Sequence, residues 1–159
     1  MCTNAIVVFE DVNARGTIRF HQCKNEQKTI LRFDLHSLPK NKKIACHIHE
    51  FGDKSNGCTS LGGHWNPTNK QHGSRSLNEN NRHAGDLLNN ITSDGNGKFN
   101  YEYTDDLIKL RGDIMQSIFG RSVVLHEGVD DLGLGLDVNS KINGNAGGRM
   151  ACGIIGICK

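Results

Sequence analysis

The chain reads as an all-β domain, and three features of the sequence predict this. Short β-prone runs recur along its length, several alternate apolar and polar residues with period two, and a Gly/Asn/Asp-rich turn joins two of them. A length of 159 residues suits one domain, 1–159, with a hydrophobic core of its own.

The first run is "AIVVF" (5–9), followed by "TIRFH" (17–21) and "TILRFDL" (29–35). In the third, Leu31, Phe33 and Leu35 share one face and Arg32 and Asp34 the other, as in a half-buried strand. "KIACHIHE" (43–50), "KFNYEYT" (98–104), "SVVLHE" (122–127) and "CGIIGIC" (152–158) complete the set. Between "LLNNIT" and "KFNYEYT" the turn "SDGNGK" (93–98) offers residues that tolerate positive φ, which predicts a hairpin. The one candidate helix is "DDLIKLRGD" (105–113), whose weak periodicity also fits a strand and turn. Two stretches, 51–82 and 128–150, fit no strand pattern, and loops so long in a compact domain tend to be functional.

Composition excludes several function classes. Charged residues make up 23% with a formal net charge of +2 and no block of like charge, so no nucleic-acid partner is expected. The longest apolar run near the start is Ala5 to Phe9, too short for a membrane span or a signal peptide, which predicts a soluble, cytoplasmic protein with no membrane partner. Six cysteines, at 2, 23, 46, 58, 152 and 158, contain no CxxC pair, which argues against a zinc ribbon or a thioredoxin-type motif.

The histidines carry the chemistry. Six of the eight, at 47, 49, 64, 72, 83 and 126, lie inside or beside the two irregular stretches. His47 and His49 sit two apart on a predicted strand, so both project from one face, about 7 Å apart at Cα, and can share an ion. An HxH pair alone also occurs as two hydrogen-bonded surface histidines. The loop that follows adds His64, His72, His83 and Asp86, a three-imidazole and one-carboxylate set that suits tetrahedral zinc and would fasten a loop lacking a core. His126 closes an apolar strand, and with His47, His49 and one loop histidine it makes an imidazole-rich set that suits copper.

The segments "HIHEFGD", "GCTSLGGHWNP", "RHAGDL", "VVLHEGVDDLG" and "GNAGGRMACGIIGI" together resemble copper/zinc superoxide dismutase, in that family's order and nearly its spacing, over essentially the whole chain. The resemblance implies a Greek-key β-barrel or immunoglobulin-like sandwich with two long functional loops. The implied activity is dismutation of superoxide to dioxygen and hydrogen peroxide by a redox-cycling copper beside a structural zinc, protecting against oxidative stress. Carried over residue by residue, it makes His47, His49, His64 and His126 the copper ligands and His64, His72, His83 and Asp86 the zinc ligands, with His64 shared. It makes Asp130 the carboxylate joining His47 to His72, and Arg149 the cation beside the copper channel, so Arg149 and His64 are the implied catalytic residues. It pairs Cys58 with Cys152 in a disulfide, and a loop of that length would contribute about 4–5 kcal/mol on the chain-entropy view. The remaining cysteines, Cys2, Cys23, Cys46 and Cys158, are expected to be small semi-buried hydrophobes or incidental thiols, and His21 and His36 to be structural or solvated.

The resemblance also implies a homodimer, which the apolar "CGIIGIC" suits, with contacts around Phe51, Gly52, Gly120 and Ile157. A copper chaperone is a candidate partner, although the proline-free Gly148-Arg149-Met150 matches chaperone-independent loading in the family. Several positions depart from the family pattern. Val138 and Asn139 stand where two acids are usual, Lys141 is shifted by one, Leu134 and Leu136 add apolar bulk, and residues 112–121 are about two longer. Ile44 also replaces a structural histidine. Altered electrostatic steering is therefore expected. The rival readings are a copper-holding or decoy module and a purely structural zinc protein; the full set of seven ligands plus Arg149 favours the enzyme.

Overall fold

Period-two alternation and cross-strand hydrogen bonding produce two antiparallel sheets. The computed structural model describes residues 1–78 and 81–159. Its strands are β1 (Cys2–Asp11), β2 (Ala14–Cys23), β3 (Thr29–His36), β4 (Lys43–His49), β5 (Asn89–Thr92), β6 (Phe99–Asp105), β7 (Ser122–His126), β8 (Arg149–Ile154) and β9 (Gly156–Cys158). One sheet has the order β6-β3-β2-β1-β9 and the other β5-β4-β7-β8, so the chain crosses between layers after β3, β5, β6 and β8.

The five-stranded sheet turns Ala5, Val7, Phe9, Ile18, Phe20, Leu31, Phe33 and Leu35 inward. The four-stranded sheet answers with Ile44, Cys46, Ile48, Val123 and Leu125, Ile44 thus packing where the family pattern has a histidine. Alternation puts the other face of the same two strands, with His47, His49, Val124 and His126, against the long loops. Those loops bury it, so β7 and all of β4 past Lys43 are inaccessible. A strand covered on both sides is the physical starting point of the site.

The structure revises four sequence expectations. β1 and β2 pair residue for residue from Cys2↔Cys23 to Asp11↔Ala14, well beyond their apolar runs. As a result Cys2 and Cys23, expected to be incidental thiols, stand opposite one another and form a disulfide. Residues 105–113 are not helical: Ile108 and Leu110, two apart, both enter the core, a spacing that a helix cannot satisfy. The α-helix lies instead at Val138–Asn143 (α1), inside a stretch read as loop; Asp137 accepts from the N–H groups of Asn139 and Ser140, and Gly144 ends it at φ 66°. Finally, "CGIIGIC" is two strands, because the Ile155 backbone bonds to Gly120 and Arg121 and carries the chain from one sheet to the other.

The first long loop is stitched onto β4 by its backbone. Ile48 N–H donates to Gly85 O (2.9 Å), Trp65 N–H to Ile48 O (2.8 Å) and Gly85 N–H to Trp65 O (2.9 Å). Only glycine fits at position 85, where a Cβ would lie 2.4 Å from Ile48 O. The loop is also tied to β6 by Arg82, fully buried, which donates to Asp105 Oδ2 (2.7 Å) and to the Asp86 carbonyl (2.9 Å). Removing one partner of a buried pair leaves an uncompensated charge. Arg82→Leu is expected to lower stability by about 3–5 kcal/mol in chemical denaturation, with part of the loss recovered when Asp105→Leu is added.

Candidate metal centre

Six histidines and one aspartate converge between the outer face of the four-stranded sheet and the two loops. The strands supply His47, His49 and His126; the register of β7 and β8 slips between Leu125 and His126, pairing His126 with Arg149. Such a bulge re-aims side chains beside a site. His64 arrives from the loop through a bridge to His49.

Two four-membered groups result, His47, His49, His64 and His126, and His64, His72, His83 and Asp86; in each, ligand atoms lie within 4.8 Å of one another and every residue is buried. Around Asp86 the approach is closer: His64 Nδ1 at 2.9 Å, His72 Nδ1 at 3.1 Å and His83 Nδ1 at 3.3 Å. A tetrahedron with metal–ligand bonds of about 2.0 Å has edges of about 3.3 Å, so these atoms fit one ion. In the other group His49 Nε2 and His126 Nε2 are 3.3 Å apart. Four buried imidazole nitrogens, His47 Nδ1, His64 Nε2, His72 Nδ1 and His83 Nδ1, have no hydrogen-bond partner among the described residues. Buried polar atoms are rarely left so, and ions are the partners this donor chemistry suits. His64 belongs to both groups, its Nδ1 toward Asp86 and its Nε2 unpaired.

Asp130 holds the two groups in register. Its carboxylate accepts from His47 Nε2 (2.6 Å) and His72 Nε2 (2.9 Å), one ring from each group. Asn89 Nδ2 donates to the same carboxylate (2.9 Å), while Asn90 bonds both the N–H and the carbonyl of Asp130. Sequence reasoning missed these asparagines and Arg82; the polar "NN" within the apolar strand "LLNNIT" is a signal that could have found the asparagines, while Arg82 has none. Gly144 closes against this bridge, where a Cβ would lie 2.2 Å from Asp130 Oδ1.

The electrostatics prepare neutral ligands. Burial, with the neighbouring His64 ring, pushes His47 down to about 3, His49 to about 2 and His126 to about 4. Burial lowers His64 as well, against the pull of Asp86. His72 is the exception: burial opposes its charge, but the hydrogen bond to Asp130 and the adjacent Asp86 carboxylate raise it to about 9. A cation at His72 Nδ1 would take the place of that proton. Burial alone would raise Asp86 and Asp130, but the histidines around Asp86, His64 first, and the hydrogen bonds of His47 and His72 to Asp130 hold both below the usual carboxylate range.

A cavity of about 140 Å³ reaches the first group and is lined by His49, His64, His126, Ile142 and Arg149, among others. Arg149 NH1 donates to the Cys58 carbonyl (2.7 Å) and NH2 to that of Gly62, so its bonding partners among the described residues are neutral and its charge is not cancelled. Cys58 is bonded to Cys152, which anchors this part of the loop to β8. The Lys141 ammonium donates to the Gly133 carbonyl and is not among the residues lining the cavity, whereas Ile142 is.

Comparison with known proteins decides the family. The family described as "Copper/zinc superoxide dismutase (SODC)" matches residues 14–155. The chain belongs to the copper/zinc superoxide dismutase family. It is 46% identical over 151 residues to "Superoxide dismutase [Cu-Zn]" of Neurospora crassa, covering 95% of each chain. It is 46% identical over 156 residues to "Superoxide dismutase [Cu-Zn] 5" of Dictyostelium discoideum, covering 98% of this chain and 99% of that one. Among solved structures, "Crystal Structure Analysis of the clock protein EA4" superposes with a TM-score of 0.89 at 42% identity, covering 98% and 95%. The two histidine groups of this dismutase-family chain are groups that could bind copper and zinc.

The pKa shifts set a pH dependence for the metal-free dismutase fold. His47, His49 and His126 take up protons near 6.5 when unfolded but resist them when folded, so their contribution is lost as pH falls from 6.5 toward 4. His72 acts oppositely, its contribution being lost as pH rises from 6.5 toward 9. The melting temperature of the chelator-stripped protein is therefore expected to peak near pH 6.5 and fall on both sides.

Proposed function

We propose that this chain is a superoxide dismutase in which the two histidine groups, joined by His64, form the working centre. The balanced reaction converts two superoxide ions and two protons into dioxygen and hydrogen peroxide. His47, His49, His64 and His126 hold copper; His64, His72, His83 and Asp86 hold zinc; the observation that carries this reading is the pair of four-ligand groups sharing one imidazole. Copper, when bound, supplies the one-electron couple that the reaction needs.

The chain's own residues do the rest. Arg149 carries the uncancelled charge of the cavity and can bind and orient a small anion by charge-assisted hydrogen bonds. The cavity admits such an anion while its walls exclude bulkier molecules. His64 Nε2, when it is not a copper ligand, can hold a proton for delivery to reduced oxygen, with Nδ1 kept toward Asp86. Asp130 fixes the tautomers of His47 and His72 by accepting at their Nε2 atoms. The Cys58–Cys152 bond keeps the Arg149-bearing strand and the loop carbonyls it contacts in one geometry. A copper-holding or decoy module is not favoured, since His126 and Arg149 both reach the cavity.

In this reading residues 1–159 act as one domain in the cytoplasm, loaded with copper by a chaperone or without one, and the chain pairs with a second copy. Val8, Phe51, Ile114, Met115 and Ile157 are exposed apolar residues. They come from segments packed together: Gly52 abuts Gly120 and Ile154, and Arg121 bonds the carbonyls of Glu50, Ile114 and Met115. An apolar patch of this kind suits a two-fold interface. Sedimentation of the metal-loaded protein is expected to give a dimer, and Phe51→Glu with Ile157→Glu a monomer.

Activity tests the centre. His126→Ala is expected to abolish dismutation, and Arg149→Ala to reduce it by roughly 100-fold. With Ile142 at the mouth and Lys141 tied back, the rate of the unaltered protein is expected to fall less steeply with added salt than that of a relative with a charged mouth. Metal-loaded protein without activity would overturn the enzyme reading.

A further inference from the structure

A second ligand cluster lies far from the metal centre, on the outward face of the five-stranded sheet. The two Cys2 and Cys23 sulfurs and an imidazole nitrogen of His21 lie within 4.8 Å of one another. The arrangement follows from register: Cys2 is opposite Cys23, and Asn4 is opposite His21, on adjacent positions of the same face of β1 and β2. Asn4 Oδ1 lies 2.7 Å from His21 Nδ1 and can only accept, so Nδ1 carries the proton of the neutral ring. That leaves the Nε2 lone pair directed at Cys23 Sγ, 3.3 Å away. An imidazole whose tautomer is fixed by a neighbouring acceptor, aimed into a pair of sulfurs, is how proteins present a metal ligand. The strand end bearing Cys2 is pinned, since Arg111 donates to Thr3 Oγ1 (3.0 Å) and to the Met1 carbonyl (2.6 Å), and Lys24 N–H donates to the same carbonyl.

We propose that Cys2, His21 and Cys23 form a redox-gated site for one thiophilic d10 cation of the Cu(I) or Zn(II) class, closed by the disulfide and opened by reduction. Two equivalents of a small-molecule thiol break the Cys2–Cys23 S–S bond, form the S–S bond of the oxidised small molecule, and leave two electrons and two protons on the cysteine pair. Binding the cation releases both protons, so two thiolates and the neutral His21 Nε2 become ligands. Two thiolates and an imidazole are a soft set, unlike the nitrogen and oxygen donors of the centre described above. The other sulfurs are poor competitors: burial pushes Cys46 up to about 12, Cys158, opposite Asn4 on β9, has no second sulfur paired with it, and Cys58 is bonded to the buried Cys152, less open to a small thiol than the exposed Cys2.

The test uses the full chain loaded with copper and zinc, reduced by a small-molecule thiol only until two thiols are gained beyond Cys46 and Cys158, with Cys58–Cys152 verified intact by peptide mapping, then desalted without oxygen and titrated with Cd(II). Cadmium bound by histidine and aspartate gives no thiolate-to-metal absorption, so the ultraviolet band reports cysteine ligation alone. The band is expected to saturate at one equivalent per chain after reduction and to be absent before it. Cys2→Ser or Cys23→Ser is expected to abolish the band without changing dismutation. Asn4→Ala is expected to weaken binding about tenfold and His21→Gln to weaken it more, whereas Cys158→Ser leaves it unchanged. A reduced chain with no band, a band that survives Cys2→Ser, or unaltered affinity in His21→Gln would each overturn the proposal.

Discussion

The carboxylate of Asp130 is the constraint on which the centre depends. It accepts from His47 on a strand and from His72 on the first long loop, and its own backbone is held by Asn90 on β5. One buried group therefore connects both long loops to the four-stranded sheet. Because each imidazole gives its Nε2 proton to Asp130, each turns Nδ1 toward its own group of ligands. The tautomer, the ring orientation and the relative position of the two groups follow from a single pair of hydrogen bonds.

That arrangement resolves an apparent conflict in the composition. A loop with few apolar residues cannot repay its conformational entropy by burial alone. Here it is secured by other means: the Ile48–Gly85–Trp65 backbone bonds, the buried Arg82–Asp105 pair, the Cys58–Cys152 bond, and ligands that need an ion. Burial keeps His47, His49 and His126 uncharged, so they are ready as ligands but leave a costly set of unpaired nitrogens when no ion is bound. Metal binding and loop order are thus one equilibrium.

The second loop has a different task. α1 is short and its contacts are polar: Asp137 caps it, and Asn145 Nδ2 spans Asp131 and Asp137. This network spends its acids and Lys141 within the loop, which leaves Arg149 as the charge of the cavity and an apolar Ile142 at its edge. The edge of the cavity thus carries Ile142 and Asn143 beside Arg149. Arg149 itself is positioned by loop carbonyls, those of Cys58 and Gly62.

Much of this was legible in the sequence, in physical terms. Period-two alternation in "TILRFDL" marked a half-buried strand, and the HxH of "CHIHE" placed two imidazoles on one face because strand geometry allows nothing else. The donor types in the loop identified the metals they suit. Local patterns carry such information because they depend on neighbours in the chain. They could not show that Asn89, Asn90 and Arg82 brace the centre, or that the helix lies at 138–143 and not at 105–113, because those outcomes rest on partners far apart in sequence. The Cys2–Cys23 pair illustrates the limit most plainly: two thiols separated by 21 positions become neighbours only through the register of β1 against β2, and register is set by the whole buried face of a sheet.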